Sequence, residues 1–320
     1  MALKDDLLKL KQEINSVGMN VALKDLSNDF VDKIESEKDQ DNQFCAIYSE
    51  LKPLIQKALE NFEDYESIIE IKNKYYEAFI YSKLKSLLQI KKINESKTEK
   101  KPDFSVTFRG REYFVELKSL NMLDGKLKHR TIMENSFNGK IELENQISSG
   151  KRVASNIVLI QPYHVPGKEY DPSSPRMVIH FLIDKICQNI KKDQFSQGET
   201  ILLVDLSGQL PLLNSPENSI YKTYKDYELK NEISGELWHV ALGKIGDNLH
   251  RPIKFEGQSS EDGRLIKNGV LVEFPFIKGI IFHINNSLYS IVELKEKNSD
   301  LVDLLEYASE KCNVVVCKSS

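Results

Sequence analysis

Residues 1–60 carry apolar positions at helical spacing. Two series recur every three or four residues: Leu3, Leu7, Leu10 and Ile14, followed by Phe44, Ile47, Leu51, Leu54 and Ala58. Residues spaced in this way lie on one face of an α-helix. The pattern therefore predicts an N-terminal helical region. Pro53 is expected to kink or restart the second helix, because proline has no N–H to donate within a helix.

The pattern changes character between residues 65 and 118. Apolar residues at helical spacing predict a long helix over 65–90, and the stretch 94–101 that follows is polar and lysine-rich. From Asp103 onward apolar and polar residues alternate, which is typical of half-buried strands. The alternation turns at Arg109-Gly110-Arg111. It therefore predicts a β-hairpin over residues 103–118.

Predicted helices and strands alternate along the rest of the chain. The expected elements are a polar loop near 121–139, a short helix at 141–147, a strand at 156–160, a helix at 176–191, a strand at 201–205, an irregular insertion at 207–235, strands at 279–284 and 288–294, and a helix at 299–310. Helices interspersed with strands in this way indicate an α/β fold with a mixed β-sheet flanked by helices.

Three regions are expected from this order of elements. They are an N-terminal helical region over 1–62, a core over 63–206, and a C-terminal region over 207–320 whose further strands can complete the same domain. The N-terminal region is then a helical elaboration of the α/β core.

Charge is distributed unevenly within a formal net charge of -4. Residues 1–70 hold 8 Lys and 16 Asp or Glu, a balance of -8, whereas residues 71–152 hold 18 Lys or Arg and 10 Asp or Glu, a balance of +8. A basic middle inside an acidic chain fits a nucleic-acid contact surface, because neutralising phosphates contributes much of the binding energy. A solvated helix face next to a lysine-rich loop gives the same balance, so both interpretations stay open.

Several classes of protein are disfavoured by what the sequence does not contain. The 4 cysteines and 6 histidines show none of the paired spacings of zinc or redox sites. None of the Gly-Lys pairs continues into a phosphate-binding loop, and there is no Gly-x-Ser-x-Gly motif of a serine hydrolase.

The protein is expected to be located in the cytoplasm. No apolar stretch approaches the roughly 20 residues that cross a bilayer. The first residues are charged and lack the apolar segment of a secretory signal. We therefore expect no membrane partner.

The strongest chemical signal is Pro102-Asp103 followed by Glu116-Leu117-Lys118, with the predicted turn between them. Side chains alternate along a strand, so Glu116 and Lys118 point to one face while Leu117 points to the other. A hairpin that turns at Gly110 brings its two ends together. Asp103, Glu116 and Lys118 are therefore expected to converge.

Two carboxylates and an amine suit phosphodiester hydrolysis. Mg²⁺ is held by one or two carboxylates together with water and phosphate oxygens, and Mn²⁺ is a common substitute. Asp103 and Glu116 would hold the ion, which polarises the scissile phosphate and lowers the pKa of a bound water. Lys118 would orient that water or stabilise charge on the phosphate oxygens.

These residues resemble the motif of the PD-(D/E)xK nuclease superfamily, which includes restriction endonucleases, recombination exonucleases and phage-defence nucleases. The resemblance covers roughly residues 65–206. It implies a restriction-endonuclease-like core and a metal-dependent endonuclease that cuts DNA, such as a restriction or antiviral defence enzyme. It also implies a homodimer or a partner subunit, since cutting both strands needs two sites.

The resemblance further implies helical partners for the site. A helix before the hairpin often supplies another acidic metal ligand, for which Glu77 is the first candidate and Glu70 the second. A polar residue on the following helix is also implied, and Gln146 or Lys140 would serve.

Two alternatives and one competing motif remain. The chain is net acidic, so a non-catalytic nucleic-acid-binding or assembly subunit with the same fold is one alternative, and a ribonuclease is the other. Glu293-Leu294-Lys295 repeats the acidic-x-Lys pattern near the end of the chain, but no Pro-Asp precedes it. We expect that repeat to be the charged end of a structural strand.

Overall fold

A computed structural model describes most of the chain, namely residues 2–16, 23, 26–61, 65–93, 100–120, 125–153, 155, 169, 171, 173–207, 212–294 and 299–316. It divides into two compact units. One consists of residues 1–83 and 123–160, and the other of residues 84–122 and 161–320. Units of this kind need not fold separately, so the boundaries expected at 62/63 and 206/207 stay predictions.

The first unit is helical. Its helices are α1 (Leu3–Ser16), α2 (Asn28–Glu37), α3 (Asn42–Glu60), α4 (Tyr65–Leu87, whose last turn belongs to the second unit) and α5 (Gly125–Ser148). Ser27 and Asp41 cap α2 and α3 by accepting hydrogen bonds from backbone N–H groups of the first turn. The apolar faces of α1, α2 and α3 pack against one another. The predicted N-terminal helices are thus confirmed.

One prediction about the helices is wrong, and another is decided only in part. The helix α3 continues through Pro53 without restarting there, and the expected kink stays a prediction. Residues 125–139 are helical rather than a polar loop, and the short helix expected at 141–147 is the end of the same helix α5. Most described side chains of α5 are exposed. The helix therefore lacks the continuous apolar stripe from which it could have been predicted.

The second unit is built on a seven-stranded mixed sheet. Its elements in chain order are β1 (Gln89–Lys92), β2 (Phe104–Phe108), β3 (Arg111–Ser119), α6 (Pro175–Asn189), β4 (Thr200–Asp205), α7 (Pro216–Ser219), β5 (Thr223–Asp226), β6 (Asn231–Ser234), α8 (Glu236–Leu242), β7 (Asn248–His250), β8 (Glu261–Arg264), α9 (Val270–Glu273), β9 (Ile277–Ile284), β10 (Ser287–Leu294), α10 (Ser299–Ala308) and β11 (Lys311–Val316). The strand order in the large sheet is β1-β2-β3-β4-β9-β10-β11. The α/β class with a mixed sheet and flanking helices is therefore confirmed.

Strand β4 occupies the centre of the sheet, and all six of its residues are buried. Parallel pairing joins β3 to β4 and β4 to β9. One face of this region packs against α6 and α8 through apolar residues that include Leu202 and Val204. On the other face Leu305 of α10 lies close to Gly279 of β9. Both faces of β4 are buried, which agrees with its apolar composition apart from Thr200 and Asp205 at its ends.

The hairpin predicted over 103–118 is present as β2 and β3. Its two-residue turn has positive φ at both positions, 49° at Arg109 and 79° at Gly110. This is the turn whose twist matches that of the flanking strands. The antiparallel register pairs Phe104 with Val115, which places Asp103 level with the end of β3.

Several expected elements need adjustment. The segment 207–235, expected to be irregular, contains α7, β5 and β6. The short strand β1 follows α4 directly and was not expected. The strand predicted at 156–160 lies outside the described residues. Among the described helices, none has the length and apolar composition needed to cross a membrane.

Candidate functional site

The two ends of the β2–β3 hairpin bring three of the predicted residues together. Asp103 immediately precedes β2, and its Oδ2 accepts a hydrogen bond of 2.8 Å from the backbone N–H of Leu117. Glu116 and Lys118 flank Leu117 on β3 and share one face of the strand. The amino group of Lys118 donates to Oε1 of Glu116 over 2.5 Å. Asp103, Glu116 and Lys118 therefore form one cluster, as the sequence predicted.

Glu116 is buried in this cluster with one oxygen unsatisfied. Its side chain is only 1% exposed. Within the described part of the chain, Oε2 has no hydrogen-bond partner. A buried carboxylate oxygen without a partner is costly. Such an atom calls for a hydrogen-bond donor or a cation that the described residues do not provide.

The electrostatics of the cluster agree with this conclusion. The pKa of Glu116 is raised to about 7, chiefly by burial and then by the neighbouring negative charge of Asp103, while Lys118 lowers it. One ammonium group thus does not offset burial and the second carboxylate. A divalent cation between the two carboxylates would stabilise the ionised form of Glu116.

The donor set fits a hard cation such as Mg²⁺. Two carboxylates are available, and Mg²⁺ binds through one or two carboxylates while keeping several waters. No group of three or more His, Cys, Asp or Glu residues with a metal-binding arrangement occurs in the described ranges. With two carboxylates as ligands, the remaining coordination positions of such an ion would be left to water and substrate.

Gln194 was not among the residues predicted from the sequence. Its Oε1 accepts a hydrogen bond of 3.2 Å from the amino group of Lys118, although 76 positions separate the two residues. Gln194 lies in a short 3-10 helix, Lys192–Phe195, just before β4. No motif marks this residue, and only the pairing of β3 with β4 brings it to Lys118.

The face of the sheet that carries Glu116 continues onto β1 and β2. Lys91 pairs with Ser105, and Ser105 pairs with Phe114. Side chains at paired positions point to the same face, and Phe114 is two residues from Glu116. Lys91 is exposed, while Ser105 and Phe114 are half-buried. A partly solvent-accessible surface that includes Lys91 therefore lies on the same face of the sheet as the cluster.

The other predicted site residues lie in the helical unit. Glu77 on α4 accepts a hydrogen bond from Gln43 and forms an ion pair with Lys74. Glu70 is exposed on the same helix. The remaining two candidates lie on α5. Lys140 forms an ion pair with Glu144, and Gln146 donates hydrogen bonds to Glu142 and to the backbone carbonyl of Ser155. A metal or catalytic role for these four residues stays a prediction.

The competing motif is located on β10. Glu293 is half-buried there and pairs in register with Val315 of β11. Lys295 lies outside the described residues. Glu293 is separated from β3 by β4 and β9 in the strand order, so it belongs to another part of the sheet than the Asp103–Glu116 pair.

Comparison of the chain with protein-family models, with curated proteins and with solved structures finds no match. The side chains of the cluster and their surroundings are therefore the features that bear on function.

Proposed function

We propose that this protein is a Mg²⁺-dependent nuclease that hydrolyses phosphodiester bonds in DNA, on a restriction-endonuclease-like core. The observation that carries the proposal is the buried Glu116, which has an unsatisfied Oε2 beside the carboxylate of Asp103 and the ammonium of Lys118. A cation site and a separate positive charge within one cluster are what hydrolysis of a phosphodiester needs.

Each residue of the cluster has a distinct role in this proposal. Asp103 and Glu116 would hold the ion, and the hydrogen bond from Leu117 orients the carboxylate of Asp103. Bound Mg²⁺ would supply polarisation of the scissile phosphate and a lowered pKa for an attacking water. Lys118 keeps an ammonium next to the carboxylates, where it stabilises negative charge on the phosphate or orients the water.

The resemblance to PD-(D/E)xK nucleases supports DNA as the substrate and a role in restriction or antiviral defence. It also supports endonucleolytic cleavage by a homodimer or with a partner subunit. The exposed Lys91 beside the cluster and the +8 balance of residues 71–152 support contact with a phosphate backbone. The chemistry of cation and phosphate is common to DNA and RNA, so the choice between them is left to experiment.

Cleavage assays test the proposal directly. Supercoiled plasmid, linear DNA and single-stranded RNA would be incubated with the protein in Mg²⁺, in Mn²⁺ and in EDTA. We expect DNA cleavage that needs the metal and falls by about 10²–10³-fold in Asp103→Asn and Glu116→Gln, since each removes a ligand charge. Cleavage of RNA alone would favour a ribonuclease. No cleavage of any substrate would contradict nuclease activity.

A non-catalytic binding or assembly subunit is the second candidate. The observation that favours it is the direct ion pair between Lys118 and Glu116 at 2.5 Å, which neutralises one carboxylate without a metal. Metal titration separates the two candidates. A catalytic site should gain thermal stability from Mn²⁺, and Asp103→Ala should remove that gain, because ligands that bind only the folded state stabilise it. A scaffold should not respond to the metal.

A further inference from the structure

The ammonium group of Lys118 is held from two sides. Glu116 accepts from it at 2.5 Å, and Gln194 accepts from it at 3.2 Å. One of these acceptors is a charged carboxylate and the other is a neutral amide oxygen. An ammonium group can donate three hydrogen bonds, so, counting the acceptors among the described residues, one N–H remains for a third partner such as a water or a phosphate oxygen.

Gln194 is itself firmly anchored. Its backbone N–H donates to the carbonyl of Lys191 over 3.0 Å. The next residue, Phe195, is buried and its ring centroid lies 5.3 Å from that of Phe276. The neighbouring backbone is also fixed, because the N–H of Phe114 donates to the carbonyl of Glu199 just before β4. Gln194 therefore presents its amide oxygen from a well-packed segment.

The two acceptors respond differently to a cation. A divalent ion on Glu116 repels the ammonium group of Lys118 and competes with it for the same carboxylate. The amide oxygen of Gln194 carries no net charge, so it does not act as a counter-charge for the divalent ion. It thus remains available to Lys118 after the carboxylate has been taken.

We propose that Gln194 is a positioning residue of the nuclease site: its amide oxygen keeps the ammonium group of Lys118 beside the carboxylates once a divalent cation binds Glu116. The proposal rests on the proposed nuclease function. Gln194 acts through Lys118 and does not bind the cation. The lysine that serves the phosphate is thereby held by a residue from outside the hairpin.

Three variants isolate the amide oxygen. Gln194→Met keeps the length of the side chain and removes the acceptor, whereas Gln194→Glu keeps an acceptor at the same distance. Ser196→Ala is the matched control, because Ser196 is exposed on the same segment and its hydroxyl donates only to the carbonyl of Asp193 among the described residues. Circular dichroism and thermal melting of all three establish that they fold.

Steady-state cleavage of plasmid DNA in Mg²⁺ is the first measurement. We expect kcat to fall about tenfold in Gln194→Met with KM within about twofold, because a misplaced ammonium affects the transition state more than substrate binding. Gln194→Glu should stay within about threefold of the unaltered protein, and Ser196→Ala should match it. A change confined to KM would show that Gln194 contacts the substrate, and it would overturn the proposal.

Mn²⁺ affinity, measured by calorimetry without DNA, is the second measurement and needs no activity. Gln194→Met should weaken Mn²⁺ binding several-fold. Without the amide oxygen, Glu116 is the one of these two acceptors that remains for Lys118, so the ammonium group competes more strongly with Mn²⁺ for the carboxylate. In a Lys118→Met background the same change should have no effect, since the two residues act as a pair. Equal weakening in both backgrounds would overturn the proposal.

The outcomes separate this inference from the proposed function. If the unaltered protein neither binds Mn²⁺ nor cleaves nucleic acid, the nuclease proposal fails and the positioning role fails with it. If the unaltered protein does both and Gln194→Met behaves in the same way, only the inference about Gln194 is wrong. A loss of thermal stability with unchanged kcat and unchanged Mn²⁺ affinity would make Gln194 a structural residue, which also overturns the inference.

Discussion

The backbone N–H of Leu117 donates a 2.8 Å hydrogen bond to Oδ2 of Asp103 across the open end of the β2–β3 hairpin. This bond ties the first carboxylate of the cluster to the strand that carries the second. It also gives Asp103 two separable duties, one as an acceptor that closes the hairpin and one as a negative charge.

Substitutions of Asp103 should separate these duties. Asp103→Asn keeps an oxygen acceptor for Leu117, so we expect little loss of stability but a loss of cleavage of about 10²-fold or more. Asp103→Ala should lose cleavage and also about 1–2 kcal/mol of stability, because a hydrogen bond to a charged group is removed. Urea unfolding and cleavage assays measure the two effects. Glu293→Gln, on β10, is the control and should leave cleavage intact. Loss of cleavage in the control alone would mean that the wrong acidic-x-Lys motif was chosen.

Stability should depend on the protonation of Glu116. Its pKa is raised from 4.5 to about 7, first by burial and then by Asp103. Between these values the folded protein keeps a proton that the unfolded chain has released. The contribution of protonated Glu116 to the free energy of unfolding is therefore fully present below pH 4.5 and is lost as pH rises through about 7.

Glu116→Gln tests this dependence, because glutamine does not ionise. In EDTA we expect the variant to gain stability over the unaltered protein by up to about 3 kcal/mol at pH 8, and by little at pH 5. Urea unfolding at both pH values measures the difference. Glu112→Gln, a change of an exposed residue on the same strand, is the control. A gain that does not change with pH would contradict the assignment.

The turn of the hairpin should tolerate little change at Gly110. Its φ of 79° is unfavourable for other residues, although nothing lies within 4 Å of an added Cβ. We therefore expect Gly110→Ala to cost about 1–2 kcal/mol through the backbone alone. Gly139 lies inside α5, where the same substitution should stabilise by about 0.5–1 kcal/mol. The two substitutions should thus have opposite effects in urea unfolding, and equal effects would contradict the role of the turn.

Lys91 should contribute to nucleic-acid binding. It is exposed on the face of the sheet that carries Glu116. If it contacts a phosphate, Lys91→Ala should weaken binding at low salt and reduce the slope of log affinity against log salt by about one. Lys278 of β9 is also exposed, and Lys278→Ala serves as the control. Binding would be followed in Ca²⁺ or EDTA to prevent cleavage. An unchanged slope would remove Lys91 from the contact surface.

The sequence was informative where a local rule decides the structure. Alternation of side chains, a glycine turn and the spacing of Asp103 and Glu116 were enough to predict the hairpin and the cluster at its end. Strands β4, β9 and β10 were predicted from their runs of apolar residues, and most of their residues are buried. In these elements burial and pattern agree.

Other features depend on contacts that no local pattern records. Most of α5 was not predicted. Its described side chains are mostly exposed, so few apolar residues recur there at helical spacing. The strand β1 has four residues, of which only Ile90 is buried. Gln194 reaches Lys118 through the parallel pairing of distant strands, and the alternation of residues 103–118 carries no information about that pairing.

The order of strands also determines how the cluster would come apart. Glu116 and Lys118 belong to β3, which pairs with the fully buried β4, whereas Asp103 belongs to the β1–β2 side, where the strand order ends. Sheet margins open at lower free energy than buried centres. Opening from that margin withdraws Asp103 first and leaves Glu116 in place. A preparation in this state would retain its helices, most of its sheet and its melting transition but would no longer bind a divalent cation.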